Sequence, residues 1–122
     1  MTLRSIDAII SRVRTDVTAI KLSDGSRWTD EPLTDERVRQ HLAGAGHPRG
    51  VCPLKDGEST TRVALLDLDS HKGETDWPTM LAVAALICDT LALDGYEPTM
   101  YRSSGGRGIH IYVLWDEPQD AY

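Results

Sequence analysis

Residues 62–69 alternate so that Val63, Leu65, Asp67 and Asp69 share one face of an extended segment, with Ala64, Leu66 and Leu68 on the other. Apolar side chains on both faces predict a central strand whose end emerges into a site. Further on, Asp76-Trp77-Pro78 pairs an N-cap carboxylate with a proline in the first turn. Met80, Val83, Ala84, Ile87 and Leu91 then recur at helical spacing, which predicts a helix ending near Gly95. Residues 98–102 and 109–115 read as two more strands. In the second, Ile109, Ile111, Val113 and Trp115 form the apolar parity, with His110 and Tyr112 opposite.

Upstream the pattern is less regular. Residues 4–14 fit either a short helix or an irregular lead-in, and residues 17–22 alternate as a strand. Ser23-Asp24-Gly25-Ser26 is a turn signal, after which Arg27-Trp28 begins a returning strand. Thr34, followed by Glu36, Arg37, Val38 and Leu42, predicts an N-capped amphipathic helix stopped by Gly44 or Gly46. Residues 50–54 are a short strand and 55–58 a turn. This order predicts an α+β (α/β-like) fold, with helices packed on a mixed β-sheet. At 122 residues the chain supports one core, so residues 1–122 are taken as a single domain.

Charge narrows the choice of partners. Thirteen Lys and Arg against nineteen Asp and Glu give a net charge of −6, so contact with nucleic acid would have to be local. Cys52 and Cys88 lack metal-ligand spacing and are expected as free thiols of a reducing compartment, with one disulfide between them as the alternative. The first fourteen residues hold no continuous apolar core, and the most apolar stretch, 80–93, is interrupted by Asp89. A cytoplasmic protein without a membrane contact is the expectation.

The candidate chemistry lies in two stretches. Residues i and i+2 of a strand point the same way, so Asp67 and Asp69 can address one hard cation, Mg²⁺ or Mn²⁺, as phosphate chemistry requires. The plain alternative is a solvated strand end. Residues 64–69 also resemble the first motif of haloacid-dehalogenase-type phosphatases, in which Asp67 would be the nucleophile. Those enzymes usually continue with Gly-Thr, where this chain has Ser70-His71.

The second stretch, residues 103–108, holds three glycines, two serines and Arg107. Glycine lets main-chain N–H groups approach an anion, and the hydroxyls and guanidinium add donors. A strand follows, so neither a P-loop nor a Rossmann turn fits, because each needs a helix there. His110 opens that strand, placed to donate to a phosphate. A glycine-rich hairpin with an incidental surface histidine is the alternative.

Together the stretches resemble the archaeo-eukaryotic primase superfamily, the primase-polymerases. Asp67 and Asp69 match its acidic pair on a strand. Ser104, Gly105, Arg107, Gly108 and His110 match its serine-glycine-basic-glycine-x-histidine segment. Gly50-Val51-Cys52-Pro53-Leu54 and His41-Leu42-Ala43-Gly44 look like the version in phage, plasmid and mobile-element members, so the resemblance spans about residues 34–115.

The resemblance implies metal-dependent nucleotidyl transfer from an NTP or dNTP to a primer or initiating nucleotide on a single-stranded DNA template. Asp67, Asp69 and His110 would be catalytic, with Mg²⁺ or Mn²⁺ on Asp67 and Asp69. Ser104, Gly105, Gly106, Arg107, Gly108 and His110 would bind the nucleotide; Arg102 and Arg49 are further candidates for nucleotide or template contact. His71 and Lys72 are placed to face phosphates or are plain loop positions. A fused or associated helicase is a possible partner.

The superfamily uses a third carboxylate on a later strand. Asp116, Glu117 and Asp120 do not match its spacing. The chain is therefore expected to be the N-terminal portion of a longer catalytic core, enzymatic as a whole. A non-catalytic nucleotide- or nucleic-acid-binding module is the reading from another class.

Overall fold

Caps and turns set the element boundaries. In the computed structural model, which describes residues 6–103 and 105–121, the chain runs α1 (Ile6–Ile10), β1 (Arg14–Leu22), β2 (Gly25–Thr29), α2 (Asp35–Leu42), β3 (Arg49–Cys52), β4 (Thr60–Leu68), α3 (Trp77–Leu93), β5 (Pro98–Arg102) and β6 (Ile109–Asp120). Thr34 caps α2 by accepting from the Arg37 amide at 3.2 Å. Asp76 caps α3 by accepting from the Thr79 amide at 2.8 Å, and hydrogen bonding from the Thr79 side chain and amide holds its carboxyl below the usual carboxylate range. Gly95, at φ 88°, turns the chain out of α3 in a conformation that favours glycine.

The α+β class expected from the sequence holds, but the strands form two antiparallel sheets where one mixed sheet was expected. Their orders are β2-β1-β3 and β4-β6-β5. Because β4 and β5 both run antiparallel to β6, they run parallel to each other. They are joined by α3 with β6 inserted between them, a split β-α-β unit. The expectation that residues 62–69 form a central strand is corrected by this insertion. Among the described residues β6 is the central strand and β4 an edge, with Leu65 45% and Leu66 37% exposed. Local alternation reports which face a residue takes, not which strands flank it.

Burial explains the side of the sheet on which the site lies. Met80, Ala84 and Cys88 of α3 pack on Ile109 and Ile111 of β6, closing one face along its length. On the other face Val63 and Leu114 meet Ile9, Val13 and Val51, so α1 and β3 cover only one end. The end of that face bearing Asp67 and His110 is left as a cleft. Cys52 and Cys88 are both free thiols. Among the described residues no helix is long and apolar enough to cross a membrane.

Ile111 is fully buried at 0% exposure beneath α3. Truncating it leaves a cavity that the sheet cannot collapse, so Ile111→Ala is expected to cost about 2–5 kcal/mol of unfolding free energy in urea titrations.

Candidate functional site

Register assembles the first half of the site. Asp67 pairs with His110 and Leu65 with Tyr112 across β4 and β6, while Tyr101 of β5 pairs with His110 from the other side. Cross-strand partners share a face, so Asp67, His110, Tyr101 and Tyr112 all stand opposite α3. His110 Nε2 lies 3.5 Å from Asp67 Oδ1. Tyr112 meets Tyr101 edge-on with centroids 5.8 Å apart and His110 edge-on at 6.5 Å. Burial pushes the Tyr112 phenol up from its ordinary pKa, and the nearby Tyr101 and Asp67 push the same way, so it remains a protonated donor at neutral pH.

Asp69 follows the last residue of β4 and is held by its neighbours. Its Oδ1 accepts from the Ser70 amide at 2.8 Å, and its Oδ2 lies 3.1 Å from His71 Nδ1. Ser70 is itself buried, its hydroxyl accepting from the Thr75 amide at 3.0 Å and donating to the Thr75 carbonyl at 3.2 Å. The two carboxylates keep 57% and 35% side-chain exposure, for Asp67 and Asp69 respectively. Among the described residues no group of three or more His, Cys, Asp or Glu is arranged to hold a metal. Two accessible carboxylates nevertheless suit a hard cation such as Mg²⁺, which completes its shell with water and phosphate oxygens.

The glycine loop seats directly on this pair. The Ser103 amide donates to the Gly108 carbonyl at 2.8 Å, the Gly108 amide donates to Ser103 Oγ at 3.0 Å, and the Gly106 amide donates to the Ser103 carbonyl at 2.9 Å. A Cβ on Gly108 would stand 2.8 Å from the Leu68 carbonyl oxygen and 3.4 Å from Asp69 Oδ1. Only glycine permits that approach. Arg107 is exposed, with Nη1 3.5 Å from the His71 carbonyl, and it lines the cleft together with Gly105. Ser104 lies outside the described residues.

Arg102 starts from the α3 side of the sheet and reaches the rim of the cleft. It shares parity with Met100, which packs on the α3 core, and its guanidinium lies 4.1 Å from the centroid of the Trp77 ring. Its Nε donates to the Gly106 carbonyl at 2.9 Å. Arg49 lines the cleft but is already engaged, donating to Thr18 Oγ1 at 2.9 Å and lying 2.7 Å from Glu31 Oε2. That hydrogen bond holds the Glu31 carboxyl below its usual range.

The cleft itself has a volume of about 760 Å³, and the β2-β1-β3 sheet and its flanking segments form its second wall. That is within the range of small-molecule sites. Besides Tyr101 and Tyr112, the lining residues that went unread as site residues in the sequence include Lys21 and His41. Lys21 of β1 brings Nζ to 3.9 Å from where a Cβ on Gly105 would stand. His41, from the last turn of α2, accepts the Arg49 amide on Nδ1 at 3.0 Å, which leaves Nε2 as its donor. No local signal announces Lys21, and His41 stood only within the segment that carried the resemblance; each reaches the cleft through contacts between separate elements.

The family model described as the archaeo-eukaryotic primase domain of TOTE conflict systems matches residues 8–122. The chain belongs to this family. No curated protein matches it. Membership gives the domain a primase-like, nucleotidyl-transfer role at the level of the superfamily, with nucleotide and DNA as substrates. The acidic pair and the Gly105–His110 segment, which carried the resemblance, are the parts that the fold brings together.

The close approach of Gly108 predicts that Gly108→Ala displaces the loop or the end of β4. We expect a stability loss of about 1–3 kcal/mol by urea titration, since the obstacle is backbone. His41 offers a pH test. Burial lowers its pKa from the usual 6.5, so as pH falls the unfolded chain takes up this proton first and stability drops below about pH 6.5. His41→Asn retains an acceptor near Nδ1 and should lessen the stability difference between about pH 7.5 and about pH 5.5, measured by parallel denaturant titrations.

Proposed function

We propose that the cleft binds a nucleoside triphosphate and transfers its nucleotidyl group to a hydroxyl on a primer or initiating nucleotide, directed by a single-stranded DNA template. The observation that carries this reading is the meeting of three parts: Asp67 opposite His110, Asp69 beside it, and Gly108 seated on the end of β4. In this reading Asp67 and Asp69 hold Mg²⁺ or Mn²⁺, and the loop amides, Ser104, Arg107 and His110 bind phosphate oxygens. The bound cation would neutralise triphosphate charge and favour ionisation of the attacking hydroxyl.

The remaining work falls to the chain. The 3′-oxygen attacks the α-phosphorus while the bond to the bridging oxygen breaks, and pyrophosphate leaves with that oxygen. Donors fixed before the reaction stabilise the charge that develops. His110, between Asp67 and the Tyr112 ring, is held in place for this, and the Tyr112 phenol is available as a neutral donor. Membership in the primase family, with Ser70-His71 after the acidic pair, leaves the phosphatase reading without support.

The test is a titration of Mn²⁺ and a labelled dNTP against wild type and Asp67→Ala/Asp69→Ala. Removing both carboxylates should weaken Mn²⁺-dependent nucleotide binding at least about tenfold. Unchanged binding would exclude the pair from the site. Nucleotide binding that persists in Asp67→Asn/Asp69→Asn, with no turnover by the intact protein, would favour a regulatory binding module.

A further inference from the structure

The glycine loop is fastened by the end of β5 as well as from within. Ser103 makes the internal bonds, but the outer tie comes from Arg102, whose Nε takes the Gly106 carbonyl. Arg102 is the last residue of β5, on the α3 side, and its guanidinium lies over Trp77, the first residue of α3. Trp77 in turn packs against the buried cluster between α3 and β6. The loop at Gly106 is thereby connected to the core packed under α3.

The direction of this tie has a consequence for the next peptide group. The peptide bonds here are trans, so the Gly106 carbonyl and the Arg107 N–H point in opposite directions from one peptide plane. With the carbonyl held by Arg102, the Arg107 N–H points away from that contact, in a residue that lines the cleft of Asp67 and His110. Among the described residues it is bonded to no acceptor. Gly106, at φ 74°, sits where the flanking peptide planes can flip most easily, so the orientation needs a hold.

We propose that Arg102, braced on Trp77, is a positioning residue that fixes the Gly106–Arg107 peptide with its N–H presented to the cleft as a donor to nucleotide phosphate oxygens. This rests on the reading of the cleft as a nucleoside triphosphate site. Arg102 then acts through its Nε and its planar stacking. A lysine there keeps the charge but has neither, and leaves the peptide free to flip.

The probes are dATP with Mn²⁺, and deoxyadenosine, which has no phosphate. Arg102→Lys should weaken dATP binding about tenfold and Trp77→Leu about fivefold, from loss of a charge-assisted hydrogen bond and of its stacking support. Trp77→Phe should recover most of that loss, while binding of deoxyadenosine changes less than about twofold in every variant. In wild type the Arg107 amide resonance should shift on adding dATP, and shift less in Arg102→Lys.

Wild-type affinity for dATP in Arg102→Lys, with loss only in Arg102→Ala, would show a simple charge effect and overturn the proposal. So would equal weakening of dATP and deoxyadenosine. Should Trp77→Leu fail to fold, Arg102→Lys and Trp77→Phe decide the matter. A wild-type protein that binds no dATP overturns the triphosphate reading and the proposal with it; wild-type binding unaltered in the variants overturns the proposal alone.

Discussion

The antiparallel register between β4 and β6 is the constraint on which the site depends. It sets Asp67 opposite His110, and it is fixed by burial on the far side of the sheet. Ile109 and Ile111 must face Met80, Ala84 and Cys88, so the intervening His110 and Tyr112 are committed to the cleft. A slip of one residue would exchange the two faces, driving an imidazole under α3 and isoleucines into solvent. The irregularity in this pair falls between Thr61 and Val63, away from the reacting end. Packing that has no chemical role thus decides where the chemical groups stand.

Much of this was legible because it is local. The capping by Asp76, the proline of the first turn, the apolar spacing of α3 and the bounds of β5 follow from neighbouring residues, and parity alone placed His110 with Tyr112. Position within the sheet was not legible. Leu65 and Leu66 gave residues 62–69 the look of a central strand, yet both are partly exposed on an edge. The insertion of β6 between β4 and β5 is a long-range event with no mark in either strand. The candidate site divided in the same way. The acidic pair and loop were found by motif, whereas the capture of Arg49 by Glu31 and the arrival of Lys21 and His41 depended on the second sheet.

Charge distribution reconciles an acidic chain with an anionic substrate. The net charge of −6 disfavours a diffuse attraction for nucleic acid. Inside the cleft the positive side chains are partly committed to the protein itself: Arg49 to Glu31, and Arg102 to Gly106 and Trp77. In the proposed reading, recognition of an anion there would draw on oriented main-chain donors and short-range geometry. Such donors carry no net charge and cannot be displaced by rotamer changes, so discrimination rests on shape as much as on field strength.

Among the described residues β4 is an edge strand, which gives Asp67 a second physical effect. An edge strand offers unpaired N–H and C=O groups to any other strand, and here Leu65 and Leu66 lie exposed immediately before the carboxylate. A charge at that point opposes edge-to-edge pairing between copies, which would have to desolvate it. A carboxylate placed for the cleft would therefore also oppose self-association. Neutralising it removes both at once, so a fall in activity on its substitution carries mechanistic meaning only when the variant is shown to remain dispersed.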